Sequence, residues 1–310
     1  MPPLYKTAEV PQNGAMKIRL GFRAALIVAW LCFGVGAASA QQVPQAIATD
    51  PPADKEFPAA MEAPDIPSHG ARLNAVMYLA SGAGPHPGVL LLHGFPGNEK
   101  NLDLAYAIRR AGWNVLIPHY RGSWGSEGDF SFTHAIEDTQ AALDFFRDPA
   151  NAKKYRTDPA RIVLIGHSMG GFLALYTAAH NSEVIGVAGI AAWDLGPSSL
   201  RAPSTTFRNA SPRLAGSTAE GLRKEANDHS AEWNYVGYAE ALKTRPLLML
   251  EAKDGNTGDN QALAEAVRKA AGTHVTETFM DTDHVFSDHR IALQTVVLSW
   301  LQSIPAPLAK

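Results

Sequence analysis

The chain has 310 residues, of which 46% are hydrophobic and 18% charged, and its formal net charge is −3. This length and composition can bury one large core and differ from the composition of disordered proteins. No block of basic residues is present, so nucleic acid is not an expected partner. The single cysteine, Cys32, lies in an N-terminal apolar run. If that run is removed, the protein has no cysteine nucleophile, disulfide or Cys-ligated zinc site.

The N-terminal stretch has the order of a secretory signal peptide: basic residues after Met16, an apolar run over Ala24–Ala37 and small residues ending at Ala40. The run is too short to span a bilayer comfortably. We therefore expect a signal peptide over residues 1–40, with Met16 as an alternative start of translation and cleavage after Ala40. The protein would then be periplasmic or secreted, free of the membrane, whereas a retained anchor is the alternative. Residues 41–67, rich in proline and alanine, predict a linker or mobile N-terminus.

From residue 68 to residue 310, apolar runs of strand length alternate with helix-like segments, which predicts an α/β fold with a mostly parallel sheet flanked by helices. The expected strands are Val76–Leu79, Val89–Leu92, Asn114–Pro118, Ile162–Ile165, Val184–Ala191, Leu247–Leu250 and, nearer an edge, Val275–Phe279. The expected helices are Leu102–Ala111, Phe132–Arg147 with Thr133 as a possible cap, Phe172–Ala179 and Ile291–Leu301. Between Trp193 and Arg245 the strand rhythm lapses, which we interpret as a small cap inserted over the sheet.

A glycine-rich turn, Gly166–Gly171, reads GHSMGG and falls between an expected strand and an expected helix. This is the G-x-S-x-G nucleophile elbow in its proper strand–turn–helix context. The glycines remove side chains that would clash in a tight turn, and the following helix points its amide groups at a developing oxyanion. We predict that Ser168 is a nucleophile. The alternative is an inert turn serine on a doubly wound fold.

With this elbow, the chain resembles the α/β-hydrolase family from about residue 87 onward. The resemblance rests on LLLHGFPG at Leu90–Gly97, HYRGSWGSEG at His119–Gly128, GHSMGG, and DTDHVFSDHR at Asp281–Arg290. The second of these segments is most similar to the peptidase-like branch related to prolyl oligopeptidases and acylaminoacyl peptidases, although the chain has no room for their propeller domain. The resemblance implies an oxyanion hole formed by the backbone N–H groups of Phe95 and Met169.

The expected base and acid follow from the chain order of this fold, in which the serine precedes the acid and the acid precedes the histidine. His284 lies after the last expected strand and before the final helix, and Asp254 lies just past the Leu247–Leu250 strand. We predict that these two residues complete a triad. Asp259 is the runner-up acid and His289 the competing base, and Asp254 could instead be a plain turn residue.

Other polar residues have less specific patterns. His93 is expected to be a structural histidine that bonds to its loop, and His167 is expected to be only the variable position of the elbow. The acidic and histidine cluster at 281–289 could hold a metal ion, but hydrolases of this fold need none, so no metal or cofactor is expected. Glu127 or Glu232 could bind a free amine, or either could be a solvated surface carboxylate.

The sequence therefore predicts an exported serine hydrolase that cleaves an acyl ester or amide bond through an acyl-enzyme. Its partners would be small-molecule esters, amides or short peptides, and its oligomeric state is not indicated. Four cap aromatics are expected to contact an apolar or aromatic acyl group, or else to form core: Trp193, Phe207, Trp233 and Tyr238. The alternatives are a non-catalytic binding protein on this scaffold and an acyltransferase or perhydrolase using the same triad.

Overall fold

A computed structural model describes residues 42–305 of the chain, so the expected signal peptide lies outside the described residues. The strands of the described part are β1 (Ala60–Glu62), β2 (Asp65–Ser68), β3 (Ala71–Leu79), β4 (His86–Leu92), β5 (Asn114–Pro118), β6 (Thr157–His167), β7 (Gly186–Ile190), β8 (Leu247–Ala252) and β9 (Val275–Met280). The α-helices are α1 (Gln45–Ala48), α2 (Leu102–Arg110), α3 (Phe132–Arg147), α4 (Pro149–Tyr155), α5 (Met169–His180), α6 (Pro197–Arg201), α7 (Ser204–Ala210), α8 (Ala219–Asp228), α9 (Ala239–Leu242), α10 (Thr257–Lys269) and α11 (Arg290–Ser303). Two short 3₁₀ turns, Ser211–Arg213 and Tyr235–Tyr238, lie between β7 and β8.

The strands form one sheet in the order β1-β3-β5-β4-β6-β7-β8-β9, with β2 also paired to β3. Neighbouring strands in the part of the sheet ordered β5-β4-β6-β7-β8-β9 pair in parallel. β1, β2 and β5 each pair antiparallel with β3. The expected mostly parallel sheet is therefore confirmed, and β9 lies at its edge as predicted. In parallel sheets the carboxyl ends of the strands meet at one edge, which is where ligands bind in open α/β folds.

Two hydrophobic cores lie on opposite faces of the sheet, because successive side chains of a strand point to opposite sides. In β6, Ile162 and Leu164 belong to the core that includes residues of α3, α5 and the cap. Val163 and Ile165 belong to the other core, which includes residues of α2 and α11. A central strand buried on both faces needs apolar residues throughout, so its continuous apolar run predicted it correctly.

The stretch 41–67 differs from its prediction as a linker, because it contributes α1, β1 and β2. Both strands pair with β3, and Ile66 of β2 is fully buried. Short edge strands have few apolar residues and draw much of their stability from backbone pairing, so composition alone did not reveal them. The cap of α3 is also corrected, because the helix begins at Phe132 and the side chain of Ser131, not Thr133, accepts the N–H of His134.

The cap between β7 and β8 is built from the four short helices α6 to α9 and is tied to the rest of the domain. The carboxylate of Glu225 in α8 accepts the backbone N–H groups of Phe132 and Thr133 at 3.0 and 2.9 Å. These are the first N–H groups of α3, which have no partner within the helix and favour a negative charge. The cap is thus anchored by a charge-assisted contact as well as by its apolar packing.

None of the helices in the described range, 42–305, combines the length and the apolar character that a membrane crossing requires.

Candidate active site

Ser168 lies on the turn between β6 and α5 in a strained backbone conformation, with φ 56° and ψ −122°. A non-glycine residue held in a sparsely populated region costs about 1–3 kcal/mol and marks functional sites. The neighbouring glycines make the turn possible. A Cβ at Gly166 would lie 1.8 Å from the carbonyl oxygen of Gly170, and one at Gly170 would lie 2.2 Å from that of Leu92. The turn thus presents Ser168 at the carboxyl edge of the sheet.

His284 and Asp254 are hydrogen-bonded across the loops that follow β9 and β8. The Nδ1 of His284 lies 2.6 Å from Oδ2 of Asp254. The Asp254 side chain is 4% exposed and the imidazole 38% exposed, so a buried acceptor holds a ring that reaches the surface of the site. Because a carboxylate can only accept, Nδ1 carries the hydrogen and Nε2 keeps its lone pair in the neutral ring.

The carboxylate of Asp254 is itself held in place by the turn that follows it. Its Oδ1 accepts the backbone N–H of Asn256 at 2.9 Å, and its Oδ2 accepts the Asn256 side-chain amide at 3.2 Å. Burial alone would raise the pKa of Asp254, but the hydrogen bonds from His284 and Asn256 and the charge of His284 hold that pKa below its usual value. Asp254 is therefore ionised at neutral pH and accepts from His284.

The loop after β4 carries the expected oxyanion residue and runs beside the elbow. A Cβ added to Gly94 would lie 3.0 Å from the Cβ of Ser168, which shows how closely the two backbones approach. Met169 is the first residue of α5, where backbone N–H groups have no partner within the helix. The ring of Phe95 packs among aromatic residues, with its centroid 5.4 Å from that of Phe132 and 6.0 Å from that of Trp193.

Two cavities flank Ser168, and His284 and Phe95 line both of them. The larger, about 410 Å³, lies under the cap and is lined by Phe95, Ser168, Trp193, Ser198, Arg201, Ala202, Pro203, Thr206, Asp254, Gly255, Asn256 and His284. The smaller, about 140 Å³, lies between the β4 loop and the His284 loop and is lined by Gly94, Phe95, Pro96, Gly97, Asn98, Glu99, His167, Ser168, His284 and Val285. A substrate could therefore extend to either side of Ser168.

Only one of the four predicted cap aromatics lines the larger cavity. Trp193 does so, but Phe207 and Trp233 are 1% and 2% exposed and belong to the hydrophobic core. Tyr238 donates its hydroxyl to the carbonyl oxygen of Glu232 and is not on the cavity wall. The prediction of direct substrate contact is corrected for these three residues, because the cap uses its large aromatics to pack onto the domain.

Apart from Trp193, the cap residues that form the wall come from α6, α7 and the two residues between these helices, and the sequence analysis did not single them out. Arg201 is the one with a formal charge, and its Nη2 lies 2.5 Å from Oδ2 of Asp259. Asp259, the runner-up acid, therefore pairs with Arg201 rather than with His284. The competing base, His289, precedes α11 and lies 2.8 Å from Asp288. No sequence signal pointed to Arg201, because cap folding alone brings it to the cavity.

Two other histidines of the motifs, His93 and His167, are buried, and each donates a hydrogen bond to a different backbone carbonyl. The Nδ1 of His93 donates to the carbonyl of Gly94 at 2.9 Å, and burial lowers its pKa to about 3, so its ring is neutral. The Nε2 of His167 donates to the backbone carbonyl of His284 at 2.8 Å. His167 is thus more than a variable position of the elbow. Its partner lies 117 positions away in the chain, so no local pattern could have revealed this contact.

The carboxylates considered for amine binding, Glu127 and Glu232, do not lie beside Ser168. Glu127 accepts the backbone N–H of Arg72, and Glu232 lies 3.1 Å from His229; neither lines the larger cavity. Within residues 42–305, no group of three or more histidine, cysteine or acidic side chains is placed to hold a metal ion.

A strained serine that shares a cavity with an imidazole bonded to a buried carboxylate supplies components of nucleophilic acyl chemistry. Known proteins resemble part of this chain in sequence. An uncharacterised protein of Mycobacterium tuberculosis is 29% identical over 126 residues, which are 40% of this chain and 43% of that protein. A thermostable monoacylglycerol lipase of a Bacillus species is 34% identical over 101 residues, or 32% and 38% of the two chains. The match thus spans less than half the length of these curated relatives.

Solved structures share the fold. The acylaminoacyl peptidase of Pyrococcus horikoshii superposes with a TM-score of 0.61 at 15% identity, covering 81% of this chain and 43% of that one. An esterase of Pyrococcus furiosus superposes with a TM-score of 0.59 at 17% identity, covering 82% and 98%. Such identities establish the shared fold alone. Residues 89–293, from β4 into α11, match the model of the alpha/beta hydrolase family. Because this match spans most of the chain and holds both the elbow and the His284 loop, the chain belongs to the alpha/beta hydrolase family.

Proposed function

We propose that the protein is a serine esterase that hydrolyses small carboxylic esters through Ser168, His284 and Asp254. The observation that carries the proposal is the 2.6 Å hydrogen bond between Asp254 and His284 at the cavity that Ser168 also lines. The family supports a hydrolytic activity, and the named lipase and esterase are relatives of that kind.

The proposed reaction has two halves, formation of the acyl-enzyme and its hydrolysis. The hydroxyl of Ser168 attacks the acyl carbonyl while Nε2 of His284 takes its proton, since Nδ1 is bonded to Asp254. The N–H groups of Phe95 and Met169 stabilise the oxyanion, which is the largest single contribution in many such enzymes. His284 then protonates the departing alcohol. Water, activated by the same histidine, releases the acid from Ser168.

An ester substrate is favoured over a peptide with a free amino terminus by the charges around the larger cavity. Asp254 is the carboxylate that lines it, and this group is already bonded to His284 and Asn256. Glu127 and Glu232 lie elsewhere, and Glu99, the carboxylate that lines the smaller cavity beside Ser168, accepts the backbone N–H of Asn101. A site for a free amine would need an unpaired carboxylate.

The experiment that tests the proposal compares p-nitrophenyl acetate and butyrate with aminoacyl and dipeptidyl p-nitroanilides, followed by release of the chromophore. We expect turnover of the esters that depends on Ser168, with anilides slower or inert. Faster anilide hydrolysis would make the protein a peptidase. Ester turnover that survives in Ser168→Ala would contradict this serine as the nucleophile. No turnover together with no labelling by a fluorophosphonate would favour a binding protein. Ester formation with an added alcohol exceeding hydrolysis would favour an acyltransferase.

The cation at the wall of the larger cavity predicts a charge preference, and we assign the acyl chain to that cavity. Arg201 bonds to Asp259 through Nη2, and its guanidinium has five N–H donors, so others are free to meet a substrate carboxylate. We expect Arg201→Gln to lower kcat/KM for monomethyl adipate, whose acyl chain ends in a carboxylate, about tenfold, since a charge-assisted hydrogen bond is worth about 1.5–3 kcal/mol before screening. Neutral methyl hexanoate should change by less than about twofold, because it offers that guanidinium no partner. Acid release in a pH-stat measures both. Equal losses on the two esters would show that Arg201 shapes the cavity and does not select charge.

Export is proposed from the sequence pattern alone. We expect the protein recovered from outside the cytoplasm to begin at Gln41, because signal peptidases cut after small residues such as those ending at Ala40. N-terminal sequencing and intact mass measure this directly. A retained N-terminus in the membrane fraction would contradict the proposal and favour an anchored enzyme.

A further inference from the structure

His167 lies between the elbow and the loop that carries His284. It directly precedes Ser168, its side chain is buried, and its Nε2 donates to the backbone carbonyl of His284 at 2.8 Å. The two imidazole rings also contact each other, with centroids 4.7 Å apart and planes inclined by 47°. The residue next to the predicted nucleophile thus touches the predicted base through both its ring and its hydrogen bond.

The hydrogen bond to the His284 carbonyl fixes the tautomer of His167. A carbonyl oxygen can only accept, so Nε2 carries the hydrogen and Nδ1 keeps its lone pair. Nδ1 is buried without a hydrogen-bond partner and lies 3.5 Å from where a Cβ on Gly94 would be. Burial and the neighbouring His284 lower the pKa of His167 to about 3, so the ring is neutral over the working range of an esterase. The donor therefore stays in place while His284 gains and loses its proton.

The His284 loop is held from two sides. On its outer side, Nη1 of Arg290 donates to the carbonyl of Val285 at 2.8 Å, and Arg290 is itself bonded to Asp103. On its inner side, the donor is His167. Arg290 connects the loop to α2, whereas His167 connects it to the turn that bears Ser168. Of these two contacts, the inner one links the His284 loop directly to the turn that bears Ser168.

We propose that His167 is a positioning residue that fixes the imidazole of His284 at working distance from Ser168. This inference rests on the proposed function. Catalytic groups must be held within about 0.5 Å of their productive geometry by surrounding hydrogen bonds. A displacement of about 1 Å can cost about 10²-fold in rate. Loss of the His167 bond should therefore slow the chemical step and leave substrate binding unchanged.

The test uses two amides of the same chemistry and different reach. In His167→Gln, the side-chain nitrogen can occupy the place of Nε2 and donate to the His284 carbonyl. In His167→Asn, the nitrogen falls near the place of Nδ1 and cannot reach it. We expect His167→Gln to keep kcat on p-nitrophenyl butyrate within about threefold. We expect His167→Asn and His167→Leu to lower kcat about 10²-fold with KM within about twofold. Labelling by a fluorophosphonate should slow in parallel, because it depends on the same activated serine.

Equal activity of the Gln and Asn variants would overturn the inference, and so would a loss confined to KM. Loss of the folded state in all three variants, Gln included, would make His167 a packing residue and would also overturn it. If only His167→Leu fails to fold, the comparison of His167→Gln with His167→Asn still tests the positioning role. Failure of the proposed function is distinguishable, because the unmodified enzyme would then neither hydrolyse esters nor react with the fluorophosphonate.

Discussion

Ser168→Ala is expected to fold normally and to lose nearly all ester hydrolysis, with kcat reduced by about 10⁶-fold, the scale seen when a serine protease loses its nucleophile. The remaining rate would come from the oxyanion N–H groups and from binding. The change removes one oxygen from a residue that is 7% exposed and leaves Cβ in place, so packing is retained. The strained turn is maintained by Gly166 and Gly170 rather than by the hydroxyl.

The measurement is kcat on p-nitrophenyl butyrate together with the midpoint of thermal unfolding. Ser217→Ala is a matched control, because it removes a cap hydroxyl that bonds only to backbone carbonyls of its own turn and does not line either cavity. It should keep activity within about twofold, because Ser217 lines neither cavity. Its thermal midpoint should also change little, since substitutions away from buried or strained features usually change stability by less than about 0.5 kcal/mol. A loss of tenfold or less in Ser168→Ala would place this serine beside the chemistry rather than in it.

Asp254→Asn is the second change with a large expected effect, because it reverses the tautomer of His284. The backbone N–H of Asn256 donates to Oδ1 of Asp254, and an amide must keep its oxygen there. The NH₂ group of the new amide then faces Nδ1 of His284. Nδ1 must present a lone pair to this donor, so the neutral ring carries its hydrogen on Nε2. A ring protonated at Nε2 cannot accept the proton of Ser168. We expect kcat to fall by about 10⁴-fold, as in the serine proteases.

Asp259→Asn is the matched control, because it makes the same change in a carboxylate that pairs with Arg201. We expect a loss of less than about tenfold on a neutral ester, since a partly exposed ion pair contributes about 0–1 kcal/mol. Both variants should unfold near the temperature of the unmodified protein. The reverse pattern, with Asp259→Asn inactive and Asp254→Asn active, would show that the acid has been misassigned.

The sequence predicted elements best where the apolar pattern was long and unambiguous. The bounds of β5, Asn114–Pro118, and α3, Phe132–Arg147, agree with the structure. The sequence analysis did not predict α4 and α10, because both present only narrow apolar stripes, and only Asp148 separates α4 from the end of α3. The antiparallel strands β1 and β2 were also unpredicted, since they depend on pairing with β3.

In the candidate site, the sequence predicted the proposed triad but not the wall of the cavity. Chain order and motif context pointed to Ser168, Asp254 and His284, and the structure places these three side chains at one cavity. The wall of that cavity could not be predicted, because it depends on which face the cap helices present. Arg201 reaches the cavity although no motif marks it. Phe207, an aromatic residue that suggested substrate contact, is buried behind the wall.

The most direct test of the account is to treat the protein with a fluorophosphonate and locate the adduct by peptide mass spectrometry. We predict one phosphonylated residue, Ser168, in the peptide that contains GHSMGG, with loss of ester hydrolysis in proportion to labelling. The hydroxyl attacks only when a base removes its proton, so labelling reports the whole triad. Ser168→Ala should remain unlabelled, and Asp254→Asn should label far more slowly. An adduct on another residue, or full inhibition without any adduct on Ser168, would contradict the assignment of this serine as the nucleophile.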